Sequence, residues 1–153
     1  LAWPSAASAS ERFCPTDFTR TCMPVPGAVQ VRPVTGAITA NGDGFRVLVM
    51  NPWGDAGLKA YMVRREEERK KVYTGGYAVS AERRSETERQ TPLGATTVTI
   101  NDMTINGHSR QLGFASAVLN DTGKPVWIIV ETWQSNAAYP GQAAALLEAI
   151  LKP

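Results

Sequence analysis

His108 is the only histidine in the chain, so any imidazole-based proton transfer would run through it. It lies in Ile105-Asn106-Gly107-His108-Ser109 with Asp102 nearby, and a Ser–His–Asp set can be drawn along the chain. A serine nucleophile, however, needs its base and an oxyanion hole in rigid geometry. Closeness in sequence supplies neither, and Asn106-Gly107 reads as a solvated hairpin turn. One histidine and two cysteines cannot make a structural zinc set. Glu66-Glu67-Glu68 stands among basic residues and reads as a neutralised surface, not a calcium cage. Asn41-Gly42-Asp43-Gly44 lacks the spacing and the following helix of a phosphate or dinucleotide loop. The expectation is a protein that is not an enzyme and carries no metal and no cofactor.

Residues suited to binding are more numerous. Lys59 to Arg89 holds nine Lys/Arg and six Glu, which reads either as a soluble surface or as a recognition face for an anionic partner. Arg64, Arg65, Arg83 and Arg84 offer planar charged groups there, and Tyr73 and Trp53 offer rigid aromatic anchors. Trp53 stands in a Pro/Gly/Asp loop, where burial against a sheet is less assured than for Trp127. These six residues are the candidate partner-binding set, and the expected partner is another protein. The net charge of +2 is too mild for a nucleic-acid partner, which calls for a concentrated basic stripe. No apolar run approaches the roughly eighteen residues of a membrane helix, so the chain is not expected to span one.

Cys14 and Cys22 are the two cysteines. A bridge between them would close a small loop and restrict the unfolded chain; the alternative is a pair of buried thiols in a cytosolic protein. The small-residue stretch Leu1 to Ser10 favours the bridge, because it resembles the surroundings of a signal-peptide cleavage site. A periplasmic or secreted location with a Cys14–Cys22 disulfide follows as the expectation.

These groups need elements to hold them. With 43% apolar and 20% charged residues in 153 positions, the composition is that of a folded domain and not of a disordered chain. Residues 1–10 read as a flexible tail and 11–153 as a single α+β domain. Val29 to Val34 alternates as a strand, with Pro33 marking an edge. Phe45 to Met50 is a second strand after the Asn41–Gly44 turn. The charge runs 64–71 and 82–89 fit either a helix with i,i+4 pairs or the exposed parts of a long hairpin, and strands on either side of the first run are the preferred reading. Thr96 to Ile100 is β-branched and alternating. Asn106-Gly107 joins two strands, and the second continues through Leu119. Val126 to Thr132 is apolar on both faces and should be central. Ala143, Leu146, Leu147, Ile150 and Leu151 recur at helical spacing, giving a C-terminal amphipathic helix packed on the sheet. The sum is an antiparallel sheet with packed helices.

The layout resembles that of exported bacterial PsbP/Mog1-like domains. The matching features are Met23-Pro24-Val25-Pro26-Gly27, the entry Thr91-Pro92-Leu93-Gly94-Ala95, the strands Leu112–Leu119 and Val126–Thr132, and the final helix. The resemblance is one of arrangement over residues 12–152 and transfers no functional residue. It implies an α/β/α sandwich and accessory, assembly or binding work. The functional expectation is a non-catalytic exported protein-binding or accessory protein, in one version an immunity or inhibitor protein for a secreted toxin or hydrolase. The rival readings are a small hydrolase using His108 and a small-ligand carrier.

Overall fold

The computed structural model describes residues 12–51, 55–91, 94–105, 107–120, 122–134 and 142–152. A two-stranded ribbon comes first, β1 (Arg12–Phe13) and β2 (Met23–Pro24), with Cys14 and Cys22 bonded across the intervening loop at a Cα–Cα distance of 4.3 Å. Then follow β3 (Gln30–Val34), β4 (Ala37–Gly42), β5 (Phe45–Met50), α1 (Asp55–Thr74), β6 (Val79–Thr91), β7 (Gly94–Ile105), β8 (His108–Leu119), β9 (Val126–Gln134) and α2 (Gln142–Ile150). The last seven strands form one antiparallel sheet in the order β3-β4-β5-β9-β8-β7-β6. The tail reading of residues 1–10 and the entry to α2 at Tyr139-Pro140-Gly141 lie outside the described residues.

Strand β9 occupies the middle of the sheet, as its two apolar faces require. On one face Val126, Ile128 and Val130 meet Val47, Val49 and Ala115 from the neighbouring strands, and α2 covers them with Leu146, Leu147 and Ile150. The ribbon joins this cluster through Phe13 and Met23. Gly113 permits the close approach of α2. A Cβ there would run into Thr132 Oγ1 and stand 3.0 Å from Ala143 Cβ. On the other face Trp127 and Ile129 pack with Leu48, Met50 and the α1 residues Leu58, Tyr61 and Met62. Tyr73, at the far end of α1, packs with Met103, Ile105, Leu112 and Phe114.

The charged run 64–71 is helical throughout, which corrects the preference for strands around it. The inward stripe of α1 is Leu58, Tyr61, Met62, Arg65, Arg69 and Tyr73, at helical spacing. Arginines occupy its middle, so no apolar period shows in the sequence. Gly75 and Gly76, both at positive φ, end the helix, a conformation other residues adopt only with strain. The second charged run is strand β6, exposed from Ala81 to Gln90 at the sheet edge. Alternating charge on such an edge discourages pairing with further strands. Strand β4 was not anticipated; it pairs with β3 across Thr35-Gly36, with Gly36 at positive φ.

Candidate functional site

The polar chemistry of the molecule is gathered around α1, on both of its flanks. On the side of β5 and β9, Glu131 is 2% exposed in the central strand. Arg65 grips it with two hydrogen bonds of 3.0 Å, Nε to Oε2 and Nη2 to Oε1. Arg46, next to it on β5, donates from Nη1 to Oε1 at 3.4 Å and also faces Tyr61. Arg69 Nε stands 3.7 Å from Oε1, its guanidinium stacked 4.1 Å above the Trp133 ring. Such a carboxylate in an apolar strand is tolerable only with cations beside it. Burial pulls the Arg65 guanidinium down, but the hydrogen bonds and charge of Glu131 outweigh it and hold the group above its ordinary value. For Arg69, burial prevails and the value is lowered.

On the side of β6 and β7, Arg84 Nε lies 3.2 Å from both oxygens of Glu66, and its Nη1 reaches Glu86 at 3.2 Å. Lys70 Nζ donates to Glu82 Oε2 at 2.6 Å. Buried Asn101 bridges the two carboxylates from beneath, with Nδ2 at 3.3 Å from Glu66 Oε1 and 2.8 Å from Glu82 Oε1. These contacts fasten the C-terminal half of α1 to the edge of the sheet.

Among the described residues the N-terminal half of α1 shows no such fastening to β6, and a cleft of about 810 Å³ opens there. Ala56, Ala60 and Val63 form part of its helix wall, Glu86 and Glu88 rise from the edge strand, and Thr97, Thr99 and Ser116 make a floor of hydroxyl groups. Strand alternation puts Glu86 and Glu88 on the face that α1 covers, opposite Thr99 and Thr97. The combination of apolar wall, hydroxyl floor and carboxylate rim can hold an amphipathic ligand. A smaller hollow of about 470 Å³ lies by the β7–β8 hairpin, lined by Arg83, Asp102 and Ser109 among others.

The expected binding residues are dispersed by this arrangement. Arg84 lines the cleft, whereas Arg83 lines the hairpin hollow. Arg64 is exposed on α1, with its guanidinium 6.0 Å from the Tyr61 ring. Arg65 and Tyr73 turn inward, the first onto Glu131 and the second into the apolar cluster. Arg65 therefore belongs to the helix anchorage, not to a free surface. Trp53 lies outside the described residues. His108 opens β8 opposite Ile105, and Asp102 accepts a hydrogen bond from Gln111 Nε2 at 2.6 Å. Among the described residues no group of three His, Cys, Asp or Glu is placed to hold a metal ion, and no helix is long and apolar enough to cross a membrane.

Sequence reasoning missed Glu131, Arg46 and Arg69. The signal for Glu131 was there, since a lone carboxylate interrupts Val126-Trp127-Ile128-Ile129-Val130 before Trp133. The hydroxyl floor carried no signal, because Thr97 and Thr99 in a strand read as ordinary β-formers. Comparison with family models, with curated proteins and with solved structures gives no match for the chain.

Proposed function

We propose that this chain is a non-catalytic binding protein of an oxidising compartment, periplasmic or secreted, that takes a segment of another protein into the cleft between α1 and β6. The observation that carries the reading is the cleft itself, an open trough beside an edge strand whose residues 81–90 are all exposed. Its apolar helix wall and Glu88 on the rim, next to a Glu86 that already takes Arg84, suit a segment that carries apolar side chains next to a basic one. The disulfide is compatible with the compartment. A helix on each side of an antiparallel sheet is in keeping with a PsbP/Mog1-like arrangement and with accessory or inhibitor work, including inhibition of a secreted hydrolase or toxin.

The test is co-purification from native extract with three variants. Ala60→Trp fills the cleft, Glu88→Lys reverses its rim, and Arg83→Glu alters the separate hollow. Loss of the same partner with the first two, and its retention with the third, supports the reading. Equal capture by all three would place the interface elsewhere. A second reading, a small-ligand carrier, is favoured by the cleft volume, within the range of about 300–1,000 Å³ for small-molecule pockets. Native mass spectrometry separates the two: a bound mass of a few hundred daltons, absent from Ala60→Trp, would speak for the carrier.

A further inference from the structure

We infer that the guanidinium cluster of Arg46, Arg65 and Arg69 around Glu131 is a binding site for a small oxyanion, a phosphate or a carboxylate group, separate from the cleft. Three cations meet there, and among the described residues the carboxylates in contact with them are Glu131 and the exposed Glu68, which takes Arg65 Nη1 at 2.7 Å. Among these groups one positive charge is in surplus. Donors are also in surplus. A guanidinium has five N–H groups in a fixed fork, and Glu131 is already occupied by the bidentate contact of Arg65. Arg69 has the weakest hold on it: its Nε is buried without a hydrogen-bond partner and stands 3.7 Å from the carboxylate.

The cluster remains within reach of solvent ions. The side chains of Arg46, Arg65 and Arg69 keep 16%, 18% and 21% of their surface open. Trp133 under Arg69 fixes the plane of its guanidinium, so an arriving oxyanion meets a donor group that needs little reordering. Because Arg69 is disfavoured as a cation by burial, a second anion would relieve what Glu131 leaves uncompensated. A purely structural ion pair would be complete with Arg65 and Glu131 alone.

The full oxidised chain is titrated with inorganic phosphate and, separately, with sodium acetate. Ionic strength is held constant with sodium chloride, and the arginine Nε–Hε resonances are followed by NMR. Saturable shifts of the Arg46 and Arg69 resonances with phosphate or acetate are expected, and which anion saturates tells a phosphoryl from a carboxylate ligand. Arg69→Gln and Arg46→Gln should each weaken binding by about tenfold or more, the size of one lost charge-assisted hydrogen bond. Arg64→Gln, on the same helix but outside the cluster, should leave it unchanged. Glu131→Gln keeps the shape and removes the competing charge, so it should tighten binding. Linear, chloride-like shifts in the wild-type protein would overturn the inference, as would unchanged affinity in a folded Arg69→Gln. If only one arginine variant folds, that variant decides.

Discussion

The two faces of the sheet are built on opposite principles. Under α2 the contact is dry: Leu146, Leu147 and Ile150 meet Val47, Val49, Ile128 and Val130, with Gly113 drawing the helix close. Under α1 the apolar contacts are split between Leu58, Tyr61 and Met62 at one end and Tyr73 at the other, and the stretch between is held by ion pairs. Apolar contact is non-directional and tolerates sliding. Bidentate charge contacts fix position and angle, but they leave polar groups and unfilled space at the margins. Both the cleft and the arginine cluster lie on the α1 face for that reason.

The strongest challenge to this contrast is Glu131→Ala, which leaves three partly buried guanidiniums without their shared acceptor. It should lower stability by about 3–5 kcal/mol in urea unfolding. A loss below about 1 kcal/mol would mean that water serves the arginines as well as the carboxylate does. On the dry face Leu147→Ala should cost about 2–4 kcal/mol through lost burial and a cavity, with no dependence on salt. The same measurement on the Cys14→Ser, Cys22→Ser double variant should show a loss of about 2–3 kcal/mol, the entropy of an eight-residue loop. It should fall on the ribbon packed beside α2 and leave α1 untouched.

Smaller effects sharpen the distinction. Raising sodium chloride to 1 M should speed amide exchange in α1 more than in α2, because a network of partly exposed charges fastens the middle of α1, whereas α2 has the exposed Arg89–Glu148 pair at its margin and an apolar contact beneath. Equal protection of both helices would erase the difference in mechanism. The smallest effect concerns the Lys70–Glu82 pair, worth under about 1 kcal/mol at this exposure. Its hydrogen bond to Lys70, then that from Asn101, holds the Glu82 carboxyl below its ordinary 4.5. That contribution is complete above the unfolded value and disappears as pH falls through the folded one. The bond to Glu82 raises Lys70 above its ordinary 10.5, so its share is present below that value and is lost as pH rises through the folded one. Stability measured against pH should show both limbs, and Lys70→Met should remove the alkaline limb and flatten the acid one.

The legible parts of the sequence were those with a single period. Strand β5 follows its alternation from Phe45 to Met50 residue for residue, and β9 is the central strand that its apolar faces implied. The β7–β8 hairpin closes between Ile105 and His108, and the C-terminal helix packs with the residues named for it. Strand β4 escaped because Ala37-Ile38-Thr39-Ala40 is short and bland between two turns. Helix α1 escaped for a deeper reason. Its buried stripe contains Arg65 and Arg69, whose partners Glu131 and Trp133 are more than sixty positions away. A stripe of that kind has no apolar signature, and its burial becomes visible only when β9 is set beside β5. The cleft was equally illegible, since it exists only through the angle at which α1 is held.

The position of β9 also governs the order of assembly. Strands β3 to β5 form one meander and β6 to β9 another, and the only ladder between them is β5 with β9. The two meanders thus meet across a seam that joins residues 85 positions apart, Arg46 to Glu131. Closing so long a loop is entropically slow and is rewarded only once the partner strand is present. Until residues 126–134 leave the ribosome or a translocation pore, β5 and β8 each keep an unpaired edge and α1 has no carboxylate to grip. The fold is therefore completed only when β9 arrives, and that strand brings both the keystone of the sheet and the counter-ion of the helix above it.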